Sequence, residues 1–353
     1  MLVPLPCFSA DFRDHMQRFL VLTFILVAQG LQAIDNLHFY RANFWWGEPR
    51  FEREWLSTLD VAIGGGETVQ GRNGCGKNSS LFGIYGPQNI QHLARGVPDL
   101  DPNNPLDQLL IAVDKLPDNP PFGFVKLCGA LSLHELVIDA RQNFRYGFFM
   151  QAYLPVRTFA LRHVNVADLS QSSGNPPTAQ SPDWHNLLNN LNEILALHGL
   201  STAGYKKTGA GSLTVLGGWT GNYQKTTYVD YVDTTFKVGI LMPTDQARNP
   251  HLVFDLSTGY NKHTGLYLSA DASVGMWEWF TSGINSGSLF LFAKPEQLRL
   301  RTSSLQQGFI KLAADTARVQ PGIYWHVGAY VKADHFNEVF SMTVGYSFNQ
   351  KNK

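Results

Sequence analysis

The feature that most constrains this chain is a period of two. Over many short segments apolar residues alternate with polar or small ones, and an extended strand turns that alternation into two distinct faces, because successive side chains point to opposite sides. Phe340, Met342, Val344, Tyr346 and Phe348 alternate with Ser341, Thr343, Gly345 and Ser347. Trp325, Val327, Ala329 and Val331 alternate with His326, Gly328, Tyr330 and Lys332. Phe236, Val238, Ile240 and Met242 alternate with Thr235, Lys237, Gly239 and Leu241. Leu266, Leu268, Ala270, Ala272 and Val274 oppose Tyr267, Ser269, Asp271, Ser273 and Gly275, which puts a carboxylate in mid-strand. Leu252, Phe254 and Leu256 oppose Val253, Asp255 and Ser257. The first half repeats the pattern: Leu59, Val61 and Ile63 oppose Asp60 and Ala62; Val125, Leu127 and Leu131 oppose Lys126, Cys128 and Ala130; Leu136, Ile138 and Ala140 oppose Glu135, Asp139 and Arg141. Adding residues 146–154, 213–223, 280–292 and 309–317, we expect about 12 strands, within a range of roughly 10–14.

A sheet with one apolar face needs something apolar to cover it. Charged residues are 16% of the chain, against about 25% in soluble domains, and no stretch reaches the roughly 20 apolar residues of a spanning helix. Both facts fit an all-β chain whose antiparallel strands close into a transmembrane barrel, the apolar row toward lipid and the polar row toward a lumen. The 353 residues suit one such domain. Abundant glycine (32 residues) and 12% aromatics fit crowded walls and aromatic girdles. Trp277 and Trp279 flank Glu278 as a short turn at a membrane boundary would, although a core aromatic pair would read the same way. Lys plus Arg and Asp plus Glu both number 28, which leaves no electrostatic footprint for nucleic acid.

Two inserts break the alternation, at about 67–121 and 165–207. The first is rich in Pro and Asn and has room for a short helix near 106–116. In the second, Pro182 opens a helical pattern carried by Leu187, Leu188, Leu191, Ile194 and Leu195. Both are expected outside the wall, as loops or a plug. At the N-terminus Arg18 precedes the apolar run 19–28, and Leu31-Gln32-Ala33 offers a small residue before Asp35. That order reads as a secretory signal peptide over residues 1–33, with 1–15 a start-site extension and 34–353 the barrel domain. Removal of Cys7 leaves Cys75 and Cys128, which could pair in an oxidising compartment or remain thiols.

Gly71-Arg72-Asn73-Gly74-Cys75-Gly76-Lys77-Asn78 imitates a phosphate-binding loop, with Asn78 where Ser or Thr should hold magnesium. Residues 109–114 imitate the strand whose final Asp114 would hold the metal. A phosphate loop needs a helix starting at the Lys, and Gly83, Gly86 and Pro87 argue against one. A glycine-rich turn fits better. No Gly-x-Ser-x-Gly, His-Glu-x-x-His or Cys-x-x-Cys occurs, so we expect no enzyme, metal or cofactor. His134 with Glu135, and His185 with Glu193 and His198, read as ordinary loop or strand residues. The better functional candidates are the charges opposite the apolar rows: Asp60, Lys126, Glu135, Asp139, Arg141, Lys237, Asp255, Asp271, His326 and Lys332. A lumen with both signs of charge tunes which solutes pass, or packs shut by salt bridges.

The segment Thr343-Val344-Gly345-Tyr346-Ser347-Phe348 resembles the terminal recognition strand of bacterial outer-membrane β-barrels, a Gly followed by aromatics two residues apart. Such chains usually end on the aromatic, whereas Asn349-Gln350-Lys351-Asn352-Lys353 follows here. The resemblance covers this strand and the leader. It implies an outer-membrane location, porin-like passive transport of small solutes, and partners in membrane lipid and, through the last strand, the barrel-assembly machinery. Self-association stays open. The alternative is a non-conducting structural or adhesive surface barrel.

Overall fold

The computed structural model describes residues 54–68, 70–72, 78–82, 88–97, 100–115, 123–169, 182–224, 229–302, 304, 310–336 and 340–351. The expected leader and Cys75 lie outside them. The compact unit to which they belong runs from Asn36 to Lys353. In chain order the strands are β1 (Ser57–Thr68), β2 (Gln70–Arg72), β3 (Asn78–Ser80), β4 (Gln88–Asn89), β5 (Phe124–Asn143), β6 (Phe148–Asp168), β7 (Tyr205–Ala210) and β8 (Leu213–Gln224). They continue as β9 (Tyr231–Met242), β10 (Gly265–Met276), β11 (Phe280–Leu291), β12 (Lys294–Leu300), β13 (Ala313–Val319), β14 (Tyr324–Phe336) and β15 (Phe340–Lys351). Among the described residues four short helices lie in the inserts: α1 (Ile90–Ala94), α2 (Pro105–Asp114), α3 (Pro182–Asn189) and α4 (Leu191–Leu197). None among the described residues is long and apolar enough to cross a membrane.

Nine strands form one continuous antiparallel sheet in the order β1-β5-β6-β8-β9-β10-β11-β14-β15, curled like half a barrel, with β4 and β7 adding short ladders to β5 and β6. The all-β antiparallel class is as expected. The wall is smaller than the expected count of about 12, and among the described residues no ladder joins β1 to β15. Residues 252–256 are loop rather than strand: Val253 and Phe254 are both buried, which a half-buried strand cannot achieve at consecutive positions. The sequence reading also missed the second half of β6, because Pro155 interrupts it. That proline sits where β6 leaves its ladder with β8 at Tyr153 and takes up β7 at Val156, a place where a missing N–H costs little.

The two ends of the sheet differ. At one, strands are joined by the short connections 144–147, 225–230, 277–279 and 337–339; at the other, by 69–123, 169–212, 243–264 and 292–323. At the turn end Tyr146 and Gly147 both take positive φ, and a Cβ on Gly147 would lie 2.1 Å from the Thr220 carbonyl oxygen. Gly147→Ala is therefore expected to destabilise the protein by about 2 kcal/mol or more, read as a lowered midpoint of denaturant unfolding. Exposed aromatics gather there: Trp55, Tyr146, Phe148, Tyr223, Phe236 and Trp277. Trp277 and Glu278, both at positive φ, form the three-residue turn between β10 and β11, and Trp277 stacks on Trp279 at 6.2 Å.

At the loop end the helices pack on one another and α1 on β5, burying Leu93, Leu110, Val113, Trp184, Leu187 and Ile194. Asn104 caps α2, its side-chain oxygen accepting from Leu106 N, and Pro105 occupies the first turn. The Trp184 indole donates to Asp168 at 2.9 Å and so ties α3 to the end of β6. Arg299 on β12 donates to the carbonyls of Gly199, Pro250 and Leu312 and fastens three segments together.

Candidate functional site

The two faces of the sheet reverse the polarity of an ordinary soluble sheet. On β9, Phe236, Val238 and Ile240 are 57%, 52% and 52% exposed, while Thr235 and Lys237 on the other face are 1% and 9% exposed. Cross-strand register carries these rows across the wall: Val238 faces Gly217 and Leu268, Phe236 faces Trp219 and Ala270, and Val327 faces Phe348. The outward row is apolar and open. The inward row holds the charges.

The inner face has two tiers. Toward the turn end, Asp60 on β1 lies directly across from Asp139 on β5. The Gln151 amide donates to Asp139 at 2.5 Å. Arg141 lies over the Phe149 ring at 4.1 Å, and that ring in turn covers Gly218, where a Cβ would meet it at 2.2 Å. The Lys237 ammonium lies 3.9 Å from Asp271 and within Coulombic reach of Asp139 and Arg141. Around them Thr220 and Thr235 share a hydroxyl bond at 3.0 Å, and Asn222 donates to Asp233. Asp139 Oδ1, Arg141 Nε and Nη2, and Asp271 Oδ2 make no hydrogen bond among the described residues. Buried groups of this kind normally find a partner, so these are the atoms that water or a solute would meet.

Toward the loop end the inner face becomes apolar. Leu216, Leu241, Tyr267, Leu289, Leu291 and Tyr324 form a buried cluster, and Tyr260 from the 243–264 connection packs against it. Burial holds the Tyr260 phenol well above its ordinary pKa, so it stays a neutral hydroxyl. The void among these residues, Tyr153 and Arg157 is about 20 Å³, room for about one water. Arg157 clamps the arrangement: its Nε donates to Glu135 at 2.6 Å and its Nη1 to the Thr258 carbonyl at 3.0 Å. The same connection is held by Ser212 donating to Asp245 and by Lys262 N donating to that carboxylate.

Of the residues singled out from sequence, Asp60, Glu135, Asp139, Arg141, Lys237, Asp271, His326 and Lys332 share the inward row, His326 stacking on Tyr267. Lys126 does not. β5 is one strand of 20 residues, so even-numbered Lys126 shares a face with Leu136 and Ile138, and it is Val125 and Leu127 that are buried. Asp255 is also elsewhere, buried in the loop-end connection and paired with Lys207 at 2.9 Å. Cys128 is a free thiol rather than half of a disulfide. The phosphate-loop imitation is flanked by the antiparallel hairpin β2–β3 and residues 109–114 are helical, so neither the strand-to-helix turn nor the metal-holding strand exists. His134 and Glu135 point to opposite faces of β5, and no group of three or more His, Cys, Asp or Glu among the described residues could hold a metal. Sequence reasoning missed Arg157, Gln151 and Tyr260. Alternation of Tyr153, Pro155, Arg157 and Phe159 with Leu154, Val156 and Thr158 carries the signal for Arg157; a loop residue such as Tyr260 has none.

The fold and site together define an antiparallel half-barrel of nine strands with an exposed apolar face and a buried charged one. No protein-family model and no curated protein sequence matches the chain.

Proposed function

We propose that this protein is a β-barrel of the bacterial outer membrane and that its charged inner face forms a narrow path for small solutes. The observation that carries the reading is the reversed polarity, with Phe236, Val238 and Ile240 open and Lys237 and Thr235 buried. Water offers no reason for that arrangement, whereas lipid outside and a polar lumen inside do. Length agrees. A strand of 12 residues such as β9 spans about 40 Å at about 3.3 Å per residue, and a tilt of about 40° leaves roughly 30 Å along the normal, the thickness of a hydrocarbon core. The turn-end aromatics stand where an interfacial belt would lie.

Conductance of the refolded protein in a planar bilayer tests the path. Small, ohmic steps are expected, because a wall of nine strands lies near the size at which side chains fill a barrel, about 8 strands, and far from the 16–18 of open porins. Lys237→Gln removes the cation between Asp139 and Asp271 and is expected to shift permeability several-fold toward cations. That shift should shrink as the Debye length falls from about 10 Å at 0.1 M salt to about 3 Å at 1 M. Unchanged selectivity would take Lys237 off the conducting path.

One observation favours a second reading, a non-conducting barrel whose long connections form the working surface: the Tyr260 plug leaves a void of only about 20 Å³. Tyr260→Ala separates the two. A several-fold rise in conductance marks the plug as a constriction in a pore, and silence in both wild type and variant favours the sealed barrel.

A further inference from the structure

Toward the turn end, the inner face sets like charges beside one another in two places. Asp60 and Asp139 are direct cross-strand neighbours on β1 and β5, and two carboxylates so placed repel. Arg141, two residues along the same row, and Lys237 on β9 lie within Coulombic reach of each other, and they repel too. The chain leaves hydrogen-bonding atoms unused in both places. Asp139 Oδ1 has no hydrogen-bond partner among the described residues, its other oxygen being taken by Gln151. Arg141 Nε and Nη2 have none either. Those two nitrogens lie on one edge of the guanidinium, an edge that grips a carboxylate with two parallel bonds. Asp60 and Asp139 attract Arg141 from a distance, and neither hydrogen-bonds to that edge.

We propose that this tier binds a compact zwitterion, a solute that carries an ammonium and a carboxylate on neighbouring carbons as a small amino acid does. The carboxylate sits on the Nε–Nη2 edge of Arg141, and the ammonium on Asp139 Oδ1 and Asp60. Charge selects for both groups at once. A lone anion on Arg141 faces Asp60 and Asp139, and a lone cation on the carboxylates faces Arg141 and Lys237. A zwitterion relieves both repulsions and adds no net charge. Spacing agrees, because residues two apart on one strand face stand about 6.6 Å from each other at about 3.3 Å per residue. One small solute therefore reaches Asp139 and Arg141 together. The Phe149 ring backs the guanidinium at 4.1 Å. Asp60 is exposed and the Asp271 side chain, beside Lys237, is 27% exposed, so solute can meet both ends of the tier. Zwitterion binding rests on the reading of this face as a lumen and narrows its solutes to one class.

Equilibrium dialysis of radiolabelled glycine against the full chain, folded in phosphatidylcholine vesicles at low salt, tests it. Saturable retention of glycine is expected, with acetate and methylammonium each retained several-fold less at the same concentration. Asp60→Asn and Arg141→Lys should each lower glycine retention several-fold, the second because lysine keeps the charge and loses the two-pronged edge. Asp315→Asn on β13, apart from the wall, should leave retention unchanged. Where Arg141→Lys fails to fold, Asp60→Asn at its exposed position decides. Acetate held as well as glycine would make this an anion site, and methylammonium held as well would make it a cation site; either result overturns the proposal. So does full retention by folded Asp60→Asn. An absence of retained glycine overturns it too, and steady conductance alongside that absence leaves the path standing. Retained glycine in a protein that never conducts keeps the site and removes the path.

Discussion

Val238→Arg is expected to destabilise the protein in lipid vesicles by about 2–4 kcal/mol. Val238 sits in mid-wall on the outward row, beside Gly217 and Leu268, and is 52% exposed. In water that position is an ordinary surface, where such a change falls within about 0.5 kcal/mol of neutral. In hydrocarbon the guanidinium must be desolvated or drag water inward, and the cost is greatest near the midplane. One substitution therefore tells the two environments apart. Denaturant titrations in vesicles, followed by tryptophan fluorescence, would read it. Val327→Arg on β14 repeats the test on a second strand, while Gly328→Ser, one residue on and facing inward, should be milder. A neutral Val238→Arg would mean that the outward row does not face lipid, and the reversed faces would then need another cover. If the Val327 and Gly328 substitutions exchanged their order, the assigned register of β14 would be off by one.

The alternation that defines these rows is legible in the sequence because it is a local property. Each of β8, β9, β10, β14 and β15 runs 12 or 13 residues with one row mostly apolar, and period two survives whatever the neighbours are. What escaped was whatever depends on continuity or on partners. Lys126 was assigned by its local neighbours, and only the unbroken run of β5 to Asn143 reveals that it shares parity with Leu136 rather than Glu135. Asp255 alternates with apolar residues but lies in a connection whose backbone bonds go to Ser201 and Asn249 instead of a ladder. Arg157 was hidden behind Pro155, whose strand-breaking reputation holds for central ladders and fails where a strand changes partner. The wall holds fewer strands than expected for a related reason: the segments near 125–131 and 136–140 are one strand, β5, residues 252–256 are loop, and 309–317 overlaps β13, which pairs with β12 apart from the wall.

Arg157→Leu is expected to have the largest effect on both stability and permeation. The guanidinium is 4% exposed and bridges the wall to the inward connection, through Glu135 at 2.6 Å and the Thr258 carbonyl at 3.0 Å. Removing it leaves the Glu135 carboxylate, 11% exposed, without its cation. Breaking one side of a buried pair costs about 3–5 kcal/mol, most of it the stranded charge rather than the lost contact. Glu135→Gln in the same chain should then recover a large part of the loss, because the double variant strands no charge. That recovery separates an ion pair from simple packing. The effect on permeation follows from Thr258, whose hydroxyl donates to the Ala210 carbonyl and accepts from Gln246 N, so that residues 210, 246 and 258 move with whatever holds the Thr258 carbonyl. With Arg157 gone, the connection keeps Ser212–Asp245 but loses its tie to β6, and Tyr260 is freed from the Leu216–Tyr267 cluster. Conductance should rise several-fold and fluctuate more than in Tyr260→Ala, where the plug is trimmed but still held. Lower stability with unchanged conductance would show that Arg157 braces the wall without controlling the path.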